Sequence, residues 1–261
     1  MKKEITMEEL RAIQLDILDK IHAFCTERGI RYSLGGGTLL GAVRHKGYIP
    51  WDDDIDIMLP RPDYDRFLKE FEGKYAELIL QHYDNDITCC IPFAKVYDNR
   101  TVLIEKVQKS GIYIDVFPID GLPEESRIHE YLTLYHKYLH KIYFMTPFYL
   151  VTGSLMNRVK YYVKKVLFPP RKKYIADFYS YLLSFNFGKS VNAGAICGVY
   201  AEKELMPRKT FESYITVEFE GRHYMAIRDY DAYLTKHYGD YMQLPPKEKQ
   251  VSHHVFTAYW K

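Results

Sequence analysis

Between Ser33 and Leu59 the chain reads SLGGGTLLGAVRHKGYIPWDDDIDIML. Three features there bear on chemistry. Gly35, Gly36 and Gly37 follow an apolar stretch and lead into Thr38–Arg44, which has the pattern of a short helix. Glycine lets a backbone approach a ligand closely, and a helix start offers N–H groups and a positive dipole end, a combination suited to phosphate. Asp52, Asp53, Asp54 and Asp56 then place four carboxylates within five positions. If Ile55–Leu59 is a strand, Asp54 and Asp56 project from one face, joined by Asp52 if the strand extends back, while Ile55 and Ile57 occupy the other. Arg44, His45 and Lys46 lie between these features, and Arg44 and His45 are candidates for substrate contact.

Carboxylates fixed side by side repel one another, and a cation relieves that repulsion. All-oxygen donors with no Cys or His among them favour Mg²⁺ or Mn²⁺ over zinc. A glycine turn beside such a site implies phosphoryl or nucleotidyl transfer. An EF-hand loop is excluded, because its Gly and terminal Glu are missing at the required spacing. A third carboxylate is offered by Asp115 in Ile112–Phe117, an otherwise apolar strand pattern where an unpaired charge would be costly. Metal binding, general base action or a buried salt bridge would each account for it. Asp120, just before Gly121, reads as a turn residue. Lys95 and Arg100 either reach phosphates or serve as ordinary ion-paired bases. His253 and His254 either contact the donor or lie on the surface.

The elements that must position these groups are legible in outline. Thr6 and Glu9 form a capping box, followed by apolar residues at helical spacing from Leu10 to Phe24 and by Gly29 as a stop. Strands are expected at Ile30–Leu34, Ile55–Leu59, Glu77–Tyr83, Phe93–Tyr97 and Ile112–Phe117. Helices are expected at Asp63–Phe71 and Asp229–Tyr238, and a hairpin at Tyr214–Ile227 turning at Glu220–Gly221. The fold class is α+β, a mixed β-sheet flanked by helices with a basic helical insertion. The expected domains are a catalytic core at 1–125, the insertion at 126–190, and a C-terminal part at 191–261 that completes the catalytic domain.

Composition narrows the function classes. The 261 residues carry 36 Lys and Arg against 34 Asp and Glu, a balance that argues against a nucleic-acid-coating protein. The average hides an asymmetry. From Tyr131 to Ala176 there is no Asp or Glu but nine Lys and Arg, interleaved with aromatic and aliphatic residues. Such a stretch suits either a solvated helical face or contact with an anionic membrane. The four cysteines form no CxxC pair, and no apolar run approaches the roughly 20 residues of a membrane span. With a charged N-terminus, this reads as a cytoplasmic protein, peripheral at most on the inner face of the membrane. Tyrosine is abundant at 25 residues, as suits clefts and wet interfaces.

Gly36-Gly37-Thr38, Asp54-Ile55-Asp56 and a later Asp115 resemble the nucleotidyltransferase-fold superfamily pattern. More narrowly, GGTLLGAVRHKGYIPWDDDIDI is similar to the LicD family. So are Tyr238-Gly239-Asp240-Tyr241, Leu244-Pro245-Pro246 and Val251-Ser252-His253-His254 near the C-terminus. The resemblance covers Gly29 to about Asp120 and about Gly194 to Tyr259. It implies a nucleotidyltransferase-like fold and transfer of a phospho-alcohol, typically phosphocholine from CDP-choline, to a cell-surface glycan or lipid-linked oligosaccharide with release of CMP. It also implies divalent metal on Asp52, Asp54 and Asp56, with Asp115 as the third superfamily carboxylate and Asp53 at a variable position that points away. The alternative is a nucleotidylyltransferase that moves NMP from an NTP to a sugar, protein or RNA.

Overall fold

The computed structural model describes residues 3–104, 109–198, 201–251 and 257–261. In chain order its elements are α1 (Met7–Arg28), β1 (Ser33–Leu34), α2 (Gly36–His45), β2 (Asp56–Pro60), α3 (Arg61–Phe71), β3 (Leu78–Gln81), β4 (Ala94–Asp98), β5 (Thr101–Ile104), β6 (Lys109–Ser110) and β7 (Tyr113–Leu122). Then follow α4 (Ile128–Phe144), α5 (Tyr149–Thr152), α6 (Leu155–Leu167), α7 (Arg171–Leu183), β8 (Asn192–Gly194), β9 (Met206–Pro207), β10 (Tyr214–Phe219), β11 (Arg222–Ile227), α8 (Tyr230–Tyr238) and β12 (Thr257–Trp260).

The main sheet runs β1-β2-β7-β4-β3, with β8 and β9 continuing from the far end of β7. β2 and β7 are parallel and the other pairs are antiparallel, so the sheet is mixed. The register sets Asp56 beside Asp115, and Asp115 beside Lys95, on three neighbouring strands. Ile55, Ile57, Ile114 and Val116 are fully buried. The strand alternation therefore puts apolar residues on the core face and the acidic ones on the other.

α1 forms as its sequence dictates. Thr6 Oγ1 accepts from Glu9 N–H, Glu9 Oε2 accepts in turn from Thr6 N–H, and Gly29 closes the helix at φ 62°. Its buried stripe of Leu10, Ile13, Ile17, Leu18, Ile21 and Phe24 packs into the principal core. The β10–β11 turn places Glu220 at φ 53° and Gly221 at φ 70°, both left-handed, as a two-residue hairpin requires. A second core joins α4 and α7 through Tyr131, Tyr135, Ile175 and Phe178, closed by Tyr83, Leu122 and Ile196.

Three expectations need correction. The glycines are not a separate turn: Gly35 caps α2, and Gly36 and Gly37 form its first turn. The Ile30–Leu34 strand shrinks to two residues. The Ile112–Phe117 strand instead continues to Leu122, so Asp120 is a buried strand residue and not a turn. Pro118 is tolerated inside this strand: Asp115 N–H donates to Ile55 O, just before β2, so by alternation the Pro118 nitrogen faces the opposite edge. That edge lies between the end of β4 and the start of β8, where no ladder bond is lost. Asp120 is held by Arg61, with Nε–Oδ1 at 2.6 Å and Nη2–Oδ2 at 3.0 Å.

Candidate functional site

A cavity of about 1210 Å³ opens over the carboxyl-bearing face of β2 and β7. Asp52, Asp54, Asp56 and Asp115 all line it, beside Gly35, Gly36 and Gly37. Asp56 begins β2, and the segment before it is fixed from two sides. Thr38 Oγ1 accepts from Asp56 N–H at 2.8 Å, tying α2 to the strand. From α1, Arg11 Nη2 donates to Asp52 O at 2.7 Å and Gln14 Nε2 to Asp53 O at 2.9 Å, while Tyr48 O–H donates to Gln14 Oε1 at 2.9 Å. These bonds hold an irregular loop through its backbone.

Burial and the surrounding charges of Asp54, Asp115 and Asp52 push the Asp56 carboxyl well above the usual range. Four acids so placed resist ionising together. Asp52, Asp53 and Asp54 also bring one carboxylate oxygen each within 4.8 Å of one another. This all-oxygen donor set fits a hard divalent cation such as Mg²⁺ or Mn²⁺. Asp53 itself is buried and absent from the cavity lining, although its carboxylate stays near those of its neighbours.

The glycines matter sterically. A Cβ on Gly37 would stand 2.8 Å from Asp52 Oδ2, and one on Gly36, at φ 46°, would stand 3.2 Å from Asp56 Oδ2. A side chain at either position would push the facing carboxylate aside, and at Gly36 the left-handed φ would add backbone strain.

The basic candidates separate. Arg44 lines the cavity and donates from Nη1 to Tyr241 O at 2.7 Å, which couples α2 to the C-terminal segment. His45 lies off the cavity. Its Nε2 sits 2.9 Å from Arg44 Nε, and burial followed by the Arg44 charge lowers its pKa, so the neutral ring accepts that bond. Thr38 acts through Asp56 rather than facing the cavity. Lys95 does not line the cavity either; its Nζ is 3.1 Å from Asp115 Oδ1 and 3.2 Å from the Tyr113 ring centroid. Arg100 is likewise absent from the cavity lining. It follows β4 at the end opposite Lys95, where Nη2 meets Asp98 Oδ2 at 2.5 Å and the neighbouring charge is Asp16. His253 and His254 lie outside the described residues.

Several lining groups carried no individual signal. Trp51, Phe93, Phe117, Tyr233, Tyr238 and Tyr241 give the cavity an aromatic wall, with the Phe93 and Phe117 rings 4.4 Å apart. Glu204 lines the cavity while almost fully buried, and its Oε1 is 3.0 Å from His237 Nε2. Its local sequence, AEKE, looks like a solvated turn. Asp240 and Leu244–Pro246 also line the cavity, and these belong to the tail segments already noted for their family likeness.

Fold and site together define a mixed α/β protein with an acidic, aromatic-walled cleft over its central sheet. Residues 29–169 match the family described as LicD/FKTN/FKRP, nucleotidyltransferase domain, and the chain belongs to the LicD family. It is 35% identical, over 98% of its length and 99% of the relative's, to the lipopolysaccharide cholinephosphotransferase LicD of Haemophilus influenzae. An uncharacterised protein of Rickettsia prowazekii is 38% identical over 47% of this chain and 45% of its own. The human ribitol 5-phosphate transferase FKRP is 62% identical over a 29-residue stretch, 11% of this chain and 6% of that protein.

Proposed function

We propose that this protein is a divalent-cation-dependent phosphotransferase that moves phosphocholine from CDP-choline to a hydroxyl of a cell-surface glycan or lipid-linked oligosaccharide, releasing CMP. The near-full-length similarity to a lipopolysaccharide cholinephosphotransferase favours phosphocholine as the transferred group and a cell-surface glycan as the acceptor. The observation that carries the chemistry is the charge of the cavity. Among the described residues, six carboxylates line it (Asp52, Asp54, Asp56, Asp115, Glu204 and Asp240), with Arg44 as the sole basic side chain. A pyrophosphate cannot enter such a cleft without added positive charge.

Asp52, Asp54 and Asp56 are the residues that would hold Mg²⁺ or Mn²⁺. A cation bound there supplies neutralisation of the pyrophosphate and of the charge that develops on the CMP leaving group. The N-terminal turn of α2 offers backbone N–H groups to the same phosphates. The acceptor oxygen attacks the phosphorus that bears choline, the bond from that phosphorus to the CMP oxygen breaks, and the hydroxyl proton passes to the Asp115 carboxylate. The trimethylammonium group finds aromatic faces and carboxylates in the cavity wall, the surroundings that quaternary amines favour.

The family's description as a nucleotidyltransferase domain supports a second reading, transfer of NMP from an NTP. Product identity separates the two. Incubation with a panel of CDP-alcohols or with NTPs, plus Mg²⁺ or Mn²⁺ and a glycan acceptor, is expected to yield CMP fastest from CDP-choline. Pyrophosphate from an NTP, with no CMP from any CDP-alcohol, would refute the phosphotransferase reading.

A further inference from the structure

Helix α6 is at odds with the rest of the fold. None of its thirteen residues is buried. At 100° per residue, Leu155, Val159, Tyr162, Val163, Val166 and Leu167 share one broad face. That face is open to solvent, with Leu155 73% and Val166 85% exposed. Leu150, in the preceding helix α5, is also exposed, while Phe168 turns back onto Phe144 with ring centroids 5.2 Å apart. Arg158 and Lys165 flank it on one side and Lys160 on the other. Lys164 points to the protein: its Nζ donates to Phe144 O at 2.9 Å and sits 4.0 Å from the Phe144 ring centroid. This clamp holds α6 against the end of α4 with its apolar face turned outward. Beside the clamp, a cavity of about 640 Å³ is lined by His136, Lys137, His140 and Lys141 together with Phe144 and Phe168.

We infer that α6 is a membrane-surface helix that seats the protein on an anionic bilayer. An apolar stripe edged by Lys and Arg matches the boundary between acyl chains and acidic headgroups. The charge pattern selects this occupant over a second copy of the chain. From Tyr131 to Ala176 there is no Asp or Glu, so two such faces brought together would oppose basic residues with nothing to neutralise them. No helix among the described residues is long and apolar enough to cross a membrane, so the contact is with the surface. The inference is independent of which phosphorylated group the enzyme transfers.

The test is co-sedimentation of the full-length protein with phosphatidylcholine vesicles, with or without phosphatidylglycerol. The protein is expected to pellet with the anionic vesicles only, and less so as NaCl is raised. The triple substitution Val159→Asp, Val163→Asp, Val166→Asp is expected to cut binding by about tenfold or more without lowering the melting temperature. Should that variant misfold, the charge reversal Lys160→Glu, Lys165→Glu gives the same reading. Absence of wild-type binding to anionic vesicles at low salt would overturn the inference. So would equal binding by wild type and folded variants, or a wild-type dimer that Val163→Asp dissociates without any vesicle binding.

Discussion

At the scale of single residues, the site rests on a contest between carboxylate repulsion and the need to hold them together. The sequence exposed the contest because four acids within five positions next to an apolar strand are hard to explain otherwise. Asp115 was legible for the same reason, as a lone charge in an apolar strand, and its partner Lys95 lies on the neighbouring strand in register. Glu204 was not legible, because its burial against His237 is created by distant chain segments. Two predictions belong here. Gly37→Ala is expected to leave the melting temperature unchanged or slightly raised, since Ala is the better helix former by up to about 1 kcal/mol. Yet the new Cβ would displace the Asp52 carboxylate, and CMP release should fall by about tenfold or more. Retained activity in a steady-state assay would show that Asp52 has freedom to move. The second concerns pH. Burial and neighbouring acids raise the Asp56 carboxyl, so the cation-free fold binds its proton more tightly than the unfolded chain does. Stability from this group is therefore present at low pH and lost as pH rises through the raised folded-state value. Mg²⁺ or Mn²⁺ should accordingly raise the melting temperature more at pH 8 than at pH 5, where protons compete for the carboxylates. Equal shifts at both values would contradict this.

At the scale of elements, long periodic segments and chemically marked ends could be read directly. α1 carries its capping box and terminal glycine, the β10–β11 hairpin carries its two left-handed turn residues, and α8 stops at Gly239. The short strands could not be read. β6, β8 and β9 have two or three residues each and exist because a neighbouring strand offers hydrogen bonds, which is a tertiary effect. The length of β7 was hidden by Pro118, whose missing donor falls at a gap between partners. The Arg61–Asp120 pair that results joins the first residue of α3 to the far half of β7, and both side chains are nearly inaccessible. Arg61→Ala would leave Asp120 buried and uncompensated. A loss of about 3–5 kcal/mol in urea unfolding is expected, whereas a loss below about 1 kcal/mol would mean that the carboxyl finds water or another partner.

At the scale of the whole molecule, the near-neutral total charge conceals an acidic cleft and a basic, acid-free helical region. The tyrosine excess divides in a related way. Tyr233, Tyr238 and Tyr241 line the cleft, while Tyr131, Tyr135 and Tyr181 pack in the second core, where the Tyr131 and Tyr181 rings stack at 5.2 Å. Composition signalled the abundance of these rings, but only packing could assign them. The mixed sheet gives the cleft its acidic floor by placing Asp56 and Asp115 in register on parallel strands, and the C-terminal segment closes over it through Arg44. The central claim is that this floor drives transfer of a phospho-alcohol from a CDP donor. Its most direct test is CMP release from CDP-choline with Mg²⁺ or Mn²⁺ by wild type, Asp54→Asn and Asp56→Asn, each confirmed to be folded by its melting curve. Wild type should release CMP and label the glycan acceptor with phosphocholine, and each variant should be slower by about 100-fold or more. Near-wild-type rates in either folded variant would contradict the account.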